Sequence, residues 1–153
     1  MKRYYVAYGS NLNVEQMTYR CPDAVIFGTA EIPDYRLMFK GSKTGSYLTI
    51  EKEEGVNVPV GVWAVSEADE KHLDIYEGYP TFYYKTEMTL SVKNARTGKT
   101  SLRKCFVYIM HEDRKLGIPT RRYVEICKQG YKDFGFKLQH LIDAIKFSWE
   151  GSK

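Results

Sequence analysis

The sequence predicts an α+β fold whose sheet closes into a small barrel. Three observations carry that expectation. β-Prone runs dominate the chain up to His111, and helical periodicity takes over beyond it. Aromatic residues make up 14% of the 153 residues, with 13 tyrosines, a bias that suits strands and pocket walls with polar tips. "FYYKTEMTLSVK" and "TSLRKCFVYIM" flank "NARTGK", the signal of a long hairpin.

Taken in order, residues 3 to 9 read as a strand ending at Gly9. Asn13 caps a short helix, "VEQMTYR", closed by Cys21-Pro22. Ala24 to Phe39 is broadly β, punctuated by Gly28 and Ile32-Pro33, and "GSKTGS" reads as a flexible loop. "YLTIE" and "VPVGVWAVS" read as two strands joined by the turn "EEGVN". In "SEADEKHLDIYEG" the pattern switches to helix. Ser66 is its N-cap, Glu67, Asp69 and Glu70 suit the first turn, and Gly78 suits the position after the C-cap. After the hairpin, Thr120 caps a helix with Tyr123, Ile126, Cys127, Gly130 and Phe134 at helical spacing. "FGFK" breaks it, and Leu138, Leu141, Ile142 and Ile145 form a second apolar face. With no linker, repeat or low-complexity segment, the chain reads as one domain over 1–153, structured from roughly 3 to 147.

Hydrophobic residues at 43% and charged residues at 27% are ordinary for a globular protein in water. The net charge of +4 is modest. Its densest basic run, Lys93 to Lys104, holds five Lys/Arg and no acid. A solvated hairpin that protects an edge strand explains it; a phosphate-binding groove is the competing reading, but no nucleic-acid motif accompanies it. Cys21, Cys105 and Cys127 are odd in number, far apart and without a CxxC pair, which predicts reduced thiols. No apolar run suits a signal peptide or a membrane span, so the expected location is cytoplasmic, away from membranes.

Several chemistries find no support. His72, His111 and His140 are widely spaced, and "HEDRK" lacks the second histidine of HExxH, so no metal site is expected. Ser10 lies in "YGSNL", not in a GxSxG elbow, and "GKT" at Gly98 lacks the frame of a phosphate loop.

Two features remain. A strand running straight into Gly9-Ser10-Asn11 can present consecutive backbone N–H groups as an anion nest, although turns of this composition are common and a plain structural turn explains it locally. Glu77 falls at a helix C-terminus, beside the negative pole of the helix, amid Tyr76, Tyr79, Phe82, Tyr83 and Tyr84. Both influences push its pKa up, as a general base that must return a proton requires. A solvent-facing glutamate is the plain alternative, since helix-end glutamates are frequent and mostly inert.

At these residues the sequence resembles the γ-glutamylcyclotransferase family, including its AIG2-like and γ-glutamylamine branches. Three blocks match in order, "YVAYGSNL", "LDIYEGYPTFYYK" and "GIPTRRYVEICKQGYKDFGF", within a likeness spanning roughly Arg3 to Ile145. The resemblance implies a small mixed β-barrel with flanking helices. It implies that Tyr5, Val6, Ala7, Tyr8, Gly9 and Ser10 form the substrate-binding segment, with Asn11 supporting the loop, that Glu77 is the catalytic glutamate, and that Tyr123 helps close the site. The implied substrate is a small γ-glutamyl amine or γ-glutamyl amino acid, cyclised to 5-oxoproline by attack of its own α-amine. No cofactor, metal, nucleic acid or membrane is implied, and the oligomeric state is left open. After the glutamate the chain reads Gly-Tyr-Pro-Thr-Phe-Tyr, where glutathione-pathway members read Gly-Val and then a Gly before the tyrosine; this leaves the departing amine open. The alternative is a non-catalytic pocket protein that binds a γ-glutamyl or carboxylate metabolite, against which an acid in the pocket argues.

Overall fold

A computed structural model describes residues 2–42 and 45–153. Strand β1 (Arg3–Ala7) is flanked by β3 (Tyr47–Val65) and β5 (Thr100–Met110). Beyond β5 come β4 (Tyr83–Asn94) and β2 (Val25–Gly41), and β2 pairs back onto β3, so five strands close into a barrel. The β1–β5 pairing is parallel and the others are antiparallel, giving the mixed sheet expected. A two-residue strand, β6 (Lys115–Leu116), extends the end of β2. Among the described residues, four α-helices flank the barrel: α1 (Val14–Arg20), α2 (Glu67–Tyr76), α3 (Arg121–Asp133) and α4 (Gln139–Gly151). The class is α+β.

The local signals place most of these elements. Asn13 accepts the Gln16 N–H at 3.0 Å, Thr120 accepts the Tyr123 N–H at 3.2 Å, and Ser66 with Asp69 forms a reciprocal capping box. The β4–β5 hairpin pairs without a break from Tyr83↔Met110 to Lys93↔Thr100. Its basic tip is exposed, as a solvated hairpin requires.

Three expectations need correction. The first strand stops at Ala7, and Ser10–Leu12 forms a single 3₁₀ turn. "EEGVN" does not separate two strands, because β3 runs through it and absorbs the excess as an irregularity opposite Asp34, whose carboxylate accepts the Gly55 N–H at 2.9 Å. Along α4, Ile142 faces outward, and the buried stripe is Leu141, Ala144 and Ser148, with Ile145 half-buried beside it. Lys43 and Thr44 of the "GSKTGS" loop lie outside the described residues.

Ser148 explains the shifted stripe. Its hydroxyl is buried against β2, accepting the Phe39 N–H at 2.8 Å and donating to the Ala144 carbonyl at 2.7 Å. Ser148→Ala strands a buried N–H and should cost about 1–3 kcal/mol, read as a lowered midpoint in urea unfolding. An unchanged midpoint would mean that water replaces the hydroxyl.

Candidate active site

Helix α2 carries Glu77 to its position. The helix ends in a Schellman motif: the Gly78 N–H donates to Ile75 O at 3.1 Å and the Tyr79 N–H to Asp74 O at 2.9 Å. Gly78 has φ +64°, the left-handed conformation the motif requires and glycine adopts without cost. Glu77 is thereby fixed at the C-cap, on the wall of a cavity of about 350 Å³.

The end of β1 and the turn after it also form the cavity wall. Tyr5, Val6, Tyr8, Gly9 and Ser10 line the cavity, and so do Asn11 and Tyr123. Ala7 does not; it is buried in the core, paired with Gly61 across β1–β3. Among the described residues, the N–H groups of Gly9, Ser10 and Asn11 donate to no protein acceptor, whereas those of Leu12 and Asn13 close the 3₁₀ turn onto Gly9 O and Ser10 O. Three unspent amides therefore belong to residues of the cavity wall. α3 supplies Tyr123, whose hydroxyl accepts the Leu48 N–H at 3.2 Å. A β-carbon at Gly9 would sit 3.2 Å from that hydroxyl, so the turn and Tyr123 are closely apposed.

The aromatic wall differs from the sequence expectation. Tyr76, Phe82 and Tyr83 line the cavity, but Tyr79 and Tyr84 do not. Side chains alternate along a strand, so Tyr83 points inward, its hydroxyl donating to Leu48 O at 2.8 Å, while Tyr84 reaches Glu112 on the other face. Tyr79 packs edge-on against Tyr108. Tyr47, Leu48 and Tyr108 also line the cavity, and nothing in the linear sequence marks them. They arrive from β3 and β5 through barrel closure.

Burial pushes the Glu77 carboxyl up to about 8, and the positive charge of Arg20 holds it lower than burial alone would. No hydrogen bond contributes to that balance. Burial raises the phenols of Tyr5, Tyr8, Tyr83 and Tyr123 well above their ordinary value, with the Glu77 charge adding to it, so they act here as neutral hydrogen-bonding groups. A carboxyl poised near neutrality thus shares a tyrosine-lined cavity with residues whose backbone amides are unspent. Among the described residues, no group of three or more His, Cys, Asp or Glu is placed to hold a metal ion. Cys21, Cys105 and Cys127 are free and buried, and no helix there is long and apolar enough to cross a membrane.

The model of the family described as "Gamma-glutamyl cyclotransferase, AIG2-like" matches residues 5–125. The chain belongs to that family. It is by that membership a γ-glutamylcyclotransferase-like enzyme. The γ-glutamylcyclotransferase of Homo sapiens is 31% identical over 144 residues, covering 89% of this chain and 73% of the human protein. That of Bos taurus is 30% identical with the same coverage. A solved γ-glutamyl cyclotransferase superposes with a TM-score of 0.79 at 27% identity, over 94% of this chain and 86% of the other.

Proposed function

We propose that the protein converts a γ-glutamyl amine or γ-glutamyl amino acid to 5-oxoproline and the free amine. The observation that carries this reading is the pairing of one raised carboxyl, Glu77, with the unspent amides of Gly9, Ser10 and Asn11 in a single cavity. The α-nitrogen of the substrate forms a bond to its own γ-carbon, and the bond from that carbon to the departing nitrogen breaks. Glu77 takes a proton from the attacking nitrogen and delivers one to the leaving nitrogen, so no water is consumed and no covalent enzyme intermediate forms. With Glu77 near 8, its proton affinity lies close to that of an α-ammonium, and transfer in either direction is nearly balanced.

The amides receive the negative charge of the substrate, whether its α-carboxylate or the developing oxyanion. A lost oxyanion donor costs about 2.7–4 kcal/mol. Holding the flexible glutamyl chain bent for ring closure supplies the rest, since well-oriented intramolecular reactions reach effective molarities of ~10⁵–10⁸ M.

The direct test incubates the protein with a panel of γ-glutamyl amino acids and γ-glutamylamines and follows 5-oxoproline by mass spectrometry. Product identifies the departing amine by the pattern across the panel. Ligand-induced thermal stabilisation without product would instead support the pocket protein that only binds. Tyr123→Phe removes the hydroxyl at the mouth of the amide turn and should raise KM with a smaller loss of kcat. An unchanged KM would leave Tyr123 as packing for α3.

A further inference from the structure

Arg20, the last residue of α1, does not line the cavity, yet it touches both of its functional walls. Its guanidinium lies 3.4 Å over the ring of Tyr76, the residue before Glu77. It also donates to the Asn11 side-chain oxygen, and to Gln16 Oε1 at 3.1 Å. Asn11 in turn donates to the Tyr5 hydroxyl at 2.8 Å, and its carbonyl accepts the Trp63 indole N–H at 3.0 Å. Tyr76 completes a ring of contacts, its hydroxyl 3.1 Å from Ser10 Oγ. One side chain is thus wedged between the amide turn and the end of α2.

We infer that Arg20 is a positioning residue for the reaction, clamping the turn that carries the Gly9–Asn11 amides to the helix end that carries Glu77. This rests on the proposed function above. A planar guanidinium is suited to the task, because it stacks flat on an aromatic ring while forking to two acceptors, which an ammonium cannot do. Both acceptors are neutral amides, so they do not quench its charge. Ionisable groups that feel the Glu77 charge include Tyr5 on β1, Tyr8 just after it, Tyr83 on β4 and Tyr123 on α3, all held neutral by burial. Among the described residues, Arg20 from α1 is the positive charge that acts on Glu77.

The experiment compares wild type, Arg20→Met and Arg20→Lys by two readouts. Carboxyl ¹³C NMR on ligand-free protein, with the Glu77 signal assigned from Glu77→Gln, gives its midpoint of titration. Steady-state kinetics on the best donor of the panel give kcat, KM and the acid limb of kcat/KM. Arg20→Met should raise the midpoint by about one pH unit, shift the acid limb with it, and lower kcat/KM by about 10- to 100-fold. Arg20→Lys should keep the midpoint near wild type but raise KM, because the charge survives while the stacked fork does not. If Arg20→Met fails to fold, the KM of Arg20→Lys decides. A wild-type KM in Arg20→Lys, or an unmoved midpoint in folded Arg20→Met, overturns the inference. The titration needs no substrate, so a wild type that cyclises no donor sinks the proposed function, while an unmoved midpoint sinks the role of Arg20.

Discussion

Replacing Glu77 with glutamine should lower kcat by about 10²- to 10⁴-fold while the barrel remains folded. Glutamine keeps the length and shape of the side chain but neither accepts nor returns a proton at working pH. The same substitution makes a separate prediction about stability. In the folded protein the carboxyl titrates near 8 because of burial, against an ordinary value of 4.5. Between those pH values the folded state therefore holds a proton that the unfolded chain has released. Wild type is favoured by that difference at low pH and loses it as pH rises through about 8, whereas the glutamine variant has no such term. The stability of Glu77→Gln should gain on wild type as pH rises from about 4.5 to about 8 and level off above, by a few kcal/mol at most, read as a relative rise in melting temperature. The acid limb of wild-type kcat/KM should bend near the same upper value. Parallel melting curves across pH would show that Glu77 is better solvated than its position implies, and near-wild-type turnover in the variant would remove it from the chemistry.

Gly130→Ala should damage the site from behind. Gly130 is buried in α3, and a β-carbon there would meet the Asn13 nitrogen at 2.6 Å and the Leu12 carbonyl carbon at 2.7 Å. Both are backbone atoms of the segment that closes the amide turn, so no side-chain rotation relieves the overlap. Alanine in a helix interior normally gains about 1 kcal/mol over glycine, but overpacking of this kind costs about 1–3 kcal/mol and should prevail. The expected result is a net loss of stability with a raised KM, since displacing Leu12 and Asn13 moves the amides of Gly9 to Asn11. Differential scanning calorimetry and a substrate titration check both halves. Wild-type values in both would mean that α3 slides outward without disturbing the turn.

Both predictions depend on residues that sequence reasoning singled out, and the reasons are local. A capping serine, a left-handed glycine and the run of acids between them define α2 within a dozen positions, so the place of Glu77 at its end was legible without any tertiary contact. The same holds for Asn13 and Thr120 at their helix starts and for the β4–β5 hairpin, whose strands adjoin in the chain. Where reading failed, distant pairing was the cause. "EEGVN" looks like a turn until β2 is laid beside it along its whole length, and Ile142 looks like core until Ser148 claims a backbone N–H of β2.

Local signals in the sequence establish the α+β class, the starts of α1, α2 and α3 and the β4–β5 hairpin, and the family blocks point to the membership. That the site exists as a cavity follows from the tertiary arrangement. Closing β2 onto β3 and laying β1 parallel to β5 brings Tyr47, Leu48 and Tyr108 around Glu77, and the α1 terminus brings Arg20 beside it. Desolvation and charge act through space, and spatial neighbours far apart in the chain set them. The direction of the Glu77 shift was legible from its neighbours in the chain, and its extent, set by burial and by Arg20, belongs to the folded barrel.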